Sequence, residues 1–592
     1  MKRFVAIPIM LLALSLSASP IGEKRAREIA TNFFSSASTT RSGSTPAIEL
    51  EWAGCSMEQG IPYSNPIRTR SAKETSDESL MYIYNRTDAK GFVIVAGDDC
   101  AKRDIIAFSH DNSFNATDIA DGARAMLQVW CEDIADARKK GIKPTITRAS
   151  STGNVVCQYK TAKWGQSKPY YNECPLIDGA RAKTGCGATA AAIICYYHKL
   201  PEKGTGSTGS YTYTRNGTRV TVPNNDLGRT YNYDKMLMSY KSGYTDEQAA
   251  AVAALMYDIG SAAHIGYGVE STGANAASLA KAFIKYFNFS KDMIFLPSWS
   301  YTDSEWLAML KQNLDTHGPT YYCGRDVNDG GHLFVLDGYT DTDYFSINYG
   351  WEGGSNGFYL LPTIGYRFKQ QAIFNMVPDK DGTSDYRYCL MLESKTISGV
   401  KYKGLETNAT KFAVGSSFQV TAIVTNKGLS DFKGQFCIAH CDKDNNIKST
   451  LYLRNLTDGK ISSSGYKANV SIRKEVEAGD RLLAFYKGAN ENVWSRMRNH
   501  SETTTDCIMM CASAEEVAKS TAIEYNKATK SLTFSSPHTT QCTITNSASN
   551  SVASAEIMGG DSKTIDLSAL PSGEYTLSFA SGGEPYLLNI KL

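Results

Sequence analysis

The sequence predicts an α+β protein in several pieces, ending in β-sandwich structure. Three observations predict it. The chain has 592 residues, more than one domain of ordinary size, and 42% hydrophobic with 11% aromatic residues can fill several cores. Helix-like and strand-like periodicities are mixed through roughly the first 380 residues. Past about Tyr386, short alternating runs such as SFQVTAIVTN and QFCIAHC are separated by Gly, Asn, Asp and Ser turns, the pattern of a β-sandwich.

Taken in order, Lys2 and Arg3 precede an apolar stretch from Phe4 to Leu16 and the small residues Ser17, Ala18 and Ser19. This is the three-part pattern of a secretory signal over 1–18. The apolar run is short of the ~20 residues a membrane span needs, and no later segment is long and apolar enough to span. The mature chain is therefore expected to be secreted or held at the cell surface, without an integral membrane segment. Residues 19–150 form a first α+β domain: a helix over Glu23–Phe34, a Ser/Thr/Gly-rich loop at 35–45, a hairpin within Met81–Asp99 and a helix over 119–140. The stretch 143–153 (KPTITRASSTG) is polar and aperiodic, and reads as the linker where the first domain is released by proteolysis. Residues 151–380 form one α+β domain, with helices expected at 187–198, 245–262 and 274–287 and strands across 319–376. A β-sandwich at 390–510 and a smaller β-domain at 515–592 complete the chain.

Composition excludes several classes. Lys+Arg total 62 against 60 Asp+Glu, a net charge of +2, so no global field draws a polyanion and nucleic acid is not an expected partner. The 14 cysteines show no dense framework and no zinc-ligand spacing. Export permits disulfides, but the sequence assigns no pairing. Glycine clusters do not occur in strand–turn–helix phosphate contexts. Neither a metal nor another cofactor is expected.

The most informative stretch is Thr184-Gly185-Cys186-Gly187-Ala188-Thr189-Ala190. Glycines flank the cysteine, and small helix-compatible residues follow, so Cys186 falls in the first turn of a closely packed helix. The unpaired N–H groups and positive end of that helix favour the thiolate. Alone, the stretch also fits a tightly packed structural cysteine. His332 changes the balance. Gly330 and Gly331 precede it, and the apolar run Leu333–Leu336 with an Asp337-Gly338 turn follows. The imidazole is expected at the mouth of a buried strand, with open space before it. It lies 146 residues after Cys186, within the ~130–150 that separate nucleophile and base in papain-like enzymes. Such a pair performs covalent acyl transfer: the imidazole takes the thiol proton and later gives it to the leaving amine. Gln166, 20 residues before Cys186, is the candidate side chain for an oxyanion hole. Asn348 is the candidate for orienting the imidazole, on a strand that returns beside His332 after a 337–343 turn.

The stretches KWGQSKPYYNECP (163–175), GCGATAAAIICYYHKLP (185–201), GGHLFVLDGY (330–339) and INYGWEGGSNGFYLL (347–361) resemble the streptopain family of papain-fold cysteine peptidases. The resemblance covers about 155–378, with the segments in the family's order and spacing. It implies a papain-like catalytic domain, a Cys186–His332 dyad, an oxyanion glutamine at Gln166, and broad endopeptidase activity on proteins or peptides with an apolar side chain two residues before the cut. Upstream, YIYNRTDAKGFVIVAGDD (82–99) resembles the family's propeptide, which implies a zymogen inhibited by its own N-terminal domain. Tyr349 stands where the family usually has tryptophan, while Trp351 is kept. With Gly331, these two are the candidate substrate-binding residues, and Tyr349 implies a changed wall of the cleft. Gly187 replaces a bulkier residue and is expected to loosen the helix start. The turn-rich segment Gly266–Gly273 matches a region near the substrate pocket. At the C-terminus, Leu570–Tyr575 resembles a type IX secretion sorting domain.

Two further classes are weaker. A binding protein on a decayed peptidase fold would not be expected to keep Cys186, His332 and Gln166 together. Acyl transfer to an amine would use the same thioester.

Overall fold

The computed structural model describes residues 20–36, 45–55, 79–101, 103–117, 119, 121–142, 152–215, 217–326, 330–361, 364, 366–456, 463–501, 503–511, 518, 521–526, 529–536, 540–557, 562–580 and 586–591. The signal-like segment 1–18 and nearly all of the 143–153 linker lie outside them. So do residues 37–44 of the first loop. The chain divides into two compact units, Met1–Arg387 and Tyr388–Leu592.

The first unit is organised around one eleven-stranded sheet. Helix α1 (Gly22–Ser36) buries Ala26, Ile29, Ala30, Phe33 and Phe34, an i, i+3, i+4, i+7, i+8 stripe. The stripe packs on a meander of β1 (Ile48–Gly54), β2 (Met81–Arg86), β3 (Phe92–Ala96) and β4 (Ile105–Ser109). Helix α2 (Asp121–Lys139) follows, and then β5 (Val155–Gln158). Two ribbons, β6–β7 (Leu176–Ile177, Ala180–Arg181) and β8–β9 (Tyr211–Arg215, Thr218–Val222), flank helix α3 (Cys186–His198). Residues 187–196 of α3 are all buried. Helices α4 (Asp246–Ala262) and α5 (Ala276–Tyr286) follow, then β10 (Ile294–Pro297). Helix α6 (Asp303–His317) comes next, opened by a reciprocal Thr302–Glu305 capping box. The last strands are β11 (Thr320–Arg325), β12 (Gly331–Thr340), β13 (Tyr344–Asn348), β14 (Gly357–Leu360) and β15 (Phe368–Phe374).

The sheet runs β1-β2-β3-β4-β14-β13-β12-β11-β15-β10, with β5 beside the end of β12. The N-terminal meander is therefore continuous with the later sheet through β4 and β14, where Phe358 pairs with Phe108 and Tyr359 with Ala107. The seam is apolar: Phe108 and Phe358 stack at 5.0 Å, and the Tyr344 hydroxyl donates to the Ile105 carbonyl at 2.6 Å. An open strand edge is covered here by another part of the same chain.

The expected Asp337-Gly338 turn is not formed. β12 continues to Thr340 with a register shift between Leu336 and Gly338, and the chain reverses at 341–343. Asp337 is buried, with the Thr161 hydroxyl bonded to its carboxylate, and a turn tip could not supply that setting. A Cβ on Gly338 would come within 2.4 Å of the Cys157 carbonyl oxygen, so this glycine serves the close approach of β5.

In the second unit, strands Ser417–Asn426 and Ser464–Ser471 of one sheet and Gly434–Cys441, Ile447–Leu456 and Arg481–Gly488 of another share a core that includes Val420, Val424, Phe436, Ile438 and Leu482. Two more small sheets between 522 and 591 bury Leu532, Phe534, Ile544, Leu577 and Phe579. Both are sandwich arrangements. Among the described residues, no helix is long and apolar enough to cross a membrane.

Candidate active site

Cys186 opens α3, with Gly185 at φ +83° as its N-cap. A Cβ on Gly185 would lie 2.8 Å from Thr272, and one on Gly187 would lie 2.6 Å from the Ala274 Cβ. Both glycines let the helix start press against the Gly266–Gly273 loop, which is closed by a bridge between its end residues. The close approach, rather than a looser helix start, explains Gly187.

Cys186, Gln166, Gly331, His332 and Trp351 line one cleft of about 1110 Å³, together with Glu270, Ser271 and Thr272 of that loop. The structure thus brings together three catalytic candidates and two of the substrate-binding candidates. Gln166 is fixed through its backbone, whose carbonyl accepts from the Thr184 N–H at 3.2 Å.

His332 pairs with Gly324 at the start of β12 and is only 5% exposed. The space before it is open, since Gly331 is exposed and a Cβ there would meet nothing within 4 Å, but the ring itself is buried among aromatic side chains. Its ring stacks on Trp351 (4.8 Å between centroids, 27°) and lies beside Tyr366 and Phe334. Nε2 is 2.9 Å from the Tyr349 carbonyl oxygen, which makes it the donor. Burial pushes the imidazole down to about 4, so the ring is neutral at neutral pH. The Cys186 thiol is pushed up by burial, against the backbone N–H groups of Leu333, Gly187 and Cys186 that favour the thiolate. The helix-end effect expected from sequence is present, but desolvation outweighs it in this state.

Two candidates stand elsewhere than expected. Asn348 pairs with Val335, and its side chain is committed: Nδ2 donates to the Thr161 hydroxyl and the Ala162 carbonyl, both at 2.9 Å, and Oδ1 accepts from the Gly350 N–H at 3.2 Å. The ring of His332 is held by the Tyr349 carbonyl instead. Tyr349 itself is fully buried, stacked behind Trp351 at 4.7 Å and 8°, so it backs the cleft wall and does not form it. The Thr161–Asn348 contact leaves no mark in the sequence, because residues 187 apart carry no mutual periodicity.

The N-terminal domain reaches the same place. Asn112, Ser113, Asn115 and Ile119 line the cleft with Cys186. Lys163 Nζ donates to Asn112 Oδ1 at 2.7 Å, and Asn112 Nδ2 donates to the Asn356 carbonyl at 3.0 Å. On α2, Met126 receives the Tyr349 hydroxyl, Trp130 stacks on Tyr359, and Asp133 pairs with Arg367. These three share one helix face.

Residues 164–359 match the Peptidase C10 family, and residues 18–134 match the Spi protease inhibitor family. The chain belongs to the peptidase C10 family. The catalytic domain of this C10 chain is thus that of a streptopain-like cysteine peptidase, with a Spi-type inhibitor domain before it. The C10 chain is 29% identical over 407 residues to the thiol protease/hemagglutinin PrtT of Porphyromonas gingivalis, covering 64% of this chain and 44% of PrtT. It therefore spans less than half of that relative. Streptopain of Streptococcus pyogenes serotype M1 is 26% identical over 360 residues, covering 58% of this chain and 85% of streptopain. The structure of active interpain A, a cysteine protease of Prevotella intermedia, is 31% identical and covers 41% of this chain and 100% of its own, with a TM-score of 0.34. Among the described residues, no group of three or more His, Cys, Asp or Glu side chains is placed to hold a metal.

Proposed function

We propose that the chain is the precursor of a secreted cysteine endopeptidase, with Cys186 as nucleophile and His332 as general base and acid. The observation that carries this reading is the shared cleft: Cys186, His332 and Gln166 line it together with Asn112, Ser113, Asn115 and Ile119 of the Spi-type domain. In the reaction, His332 takes the Cys186 proton and the thiolate attacks the scissile carbonyl. The Gln166 amide and the Cys186 N–H hold the oxyanion at the helix N-terminus. His332 then protonates the leaving amine, and water hydrolyses the thioester. Residues 19–150 act as the intramolecular inhibitor until the 143–153 linker is cut. Residues 1–18 direct export, and 515–592 serve as a sorting domain.

The precursor is silent for a physical reason. Burial raises the Cys186 thiol and lowers the His332 imidazole, which works against a thiolate–imidazolium pair. The Tyr349 carbonyl holds Nε2–H and leaves Nδ1 as the nitrogen that takes the thiol proton once the cleft is opened. Mass spectrometry of the purified wild type beside Cys186→Ala tests the reading. The wild type is expected to be cut between 143 and 157 and to digest casein, whereas Cys186→Ala accumulates uncut. A Cys186→Ala protein that matured unaided and digested casein would overturn it.

A further inference from the structure

Asp337 is 7% exposed, and the Thr161 hydroxyl donates to its Oδ2 at 2.5 Å. Oδ1 is buried and makes no hydrogen bond of normal geometry among the described residues, with the Ser346 hydroxyl the further polar group that favours the carboxylate. Asp337 belongs to a cavity of about 350 Å³ lined also by Ser109, Asp111, Lys160, Lys163 and Ser346. Holding a carboxylate in such a place costs stability. The cost needs a reason beyond packing.

The connections of Thr161 supply one. Its hydroxyl accepts from Asn348 Nδ2 while donating to Asp337, which gives a directed chain Asn348→Thr161→Asp337. The Asn348 Oδ1 in turn holds the Gly350 N–H. The knot joins three segments. β12 carries both His332 and Asp337. The 161–166 stretch carries Thr161 and Gln166, with Ala162 also bonded to Asn348. The 348–351 turn supplies the Tyr349 carbonyl that receives His332 Nε2 and the Trp351 ring that stacks on it.

The geometry points to Asp337 as a positioning residue that, through Thr161 and Asn348, sets the mutual placement of His332, Trp351 and Gln166. This rests on the peptidase reading above and deepens it. Thr161 can accept from Asn348 only while its own proton is turned toward Asp337. An ionised Asp337 fixes that polarity, because a carboxylate only accepts. Burial pushes the Asp337 carboxyl up to about 6, against the Ser346 and Thr161 hydroxyls and the Lys163 ammonium. The charged groups that share its cavity are Lys163, Lys160 and, from the Spi-type domain, Asp111. Small displacements of reacting groups cost large factors in rate, so loosening the knot lowers turnover more than substrate affinity.

The test uses enzyme matured from the full-length precursor and a fluorogenic peptide amide. Asp337→Asn and Thr161→Val are expected to lower kcat by about 10–100-fold with KM within about threefold. Thr161→Ser is expected to restore kcat to within about threefold of wild type, because it keeps the hydroxyl. Asp337→Asn should also lose an acid limb of kcat near pH 6. If Asp337→Asn fails to fold, the Thr161→Val and Thr161→Ser pair decides. Folded Asp337→Asn and Thr161→Val enzymes with wild-type kcat and pH profile, beside an inert Cys186→Ala, overturn this inference alone. An active Cys186→Ala overturns the peptidase reading and the inference with it.

Discussion

The Tyr349 hydroxyl donates to the Met126 sulfur at 3.1 Å. One contact thus joins helix α2 of the Spi-type domain to the residue whose carbonyl holds His332 and whose ring backs Trp351. A tryptophan at 349 would present no hydroxyl there. In this chain the departure from the family pattern lies behind the cleft, at the junction with the inhibitor domain.

Met126 is fully buried in that junction. Truncation of a buried methionine costs about 2–5 kcal/mol. Met126→Ala precursor is expected to process itself at least about tenfold faster than wild type. Time-resolved gel analysis of purified precursor measures this.

The Asp133–Arg367 pair should matter far less. Both side chains are partly exposed (46% and 21%), and such pairs contribute about 0–1 kcal/mol. Arg367→Ala is expected to change the processing rate by less than about fivefold in the same assay. Equal effects of Met126→Ala and Arg367→Ala would contradict the view that apolar burial holds the inhibitor in place.

His332 gives a pH dependence with a definite sign. Its folded value is lowered to about 4 from 6.5, so its contribution to stability is present above pH 6.5 and is lost as pH falls toward 4. Over that window it amounts to about 3 kcal/mol. Asp337 acts oppositely: its folded value is raised to about 6 from 3.8, and its contribution is present at low pH and lost as pH rises through 6. In wild-type precursor the two offset between pH 4 and 6. Replacing His332 by Asn removes its share of the acid loss but leaves that of the half-buried His198, likewise lowered to about 4, so urea denaturation should show His332→Asn precursor losing less stability than wild type as pH falls from 6 to 4. Histidine NMR of Cys186→Ala precursor should show His332 untitrated between pH 5.5 and 8.

Gly187→Ala would place a methyl 2.6 Å from the Ala274 Cβ. Relief requires α3 or the 266–274 loop to move, at about 1–3 kcal/mol. Because Cys186 is the adjacent residue, matured Gly187→Ala is expected to lose turnover as well as stability. Thermal unfolding and peptide hydrolysis check the two effects.

Much of the fold was legible locally. The Ala26–Phe34 stripe announced α1, the small residues after Cys186 announced α3, and alternation announced the hairpin of β2 and β3. Helix α6 was not expected, although Thr302 and Glu305 stand at capping-box spacing ahead of it. Its neighbours in sequence are strand-rich, which masks the cap signal. The Asp337-Gly338 pair reads as a turn because Asp-Gly favours turns in isolation. Here β5 and Thr161, distant in sequence, convert it to buried strand.

The sequence by itself determined the chemistry available: a cysteine at a helix start, a histidine 146 residues on, and a glutamine upstream. Those residue types and spacings are local or one-dimensional properties. The tertiary structure alone decided their state. Burial raises the Cys186 thiol and keeps the His332 ring neutral, and the Tyr349 carbonyl accepts a hydrogen bond from the imidazole that Asn348 was expected to orient. Desolvation and hydrogen-bond partnership depend on which distant segments pack together, as β4 with β14 and Thr161 with Asn348 and Asp337 do here. No pattern along the chain encodes that pairing.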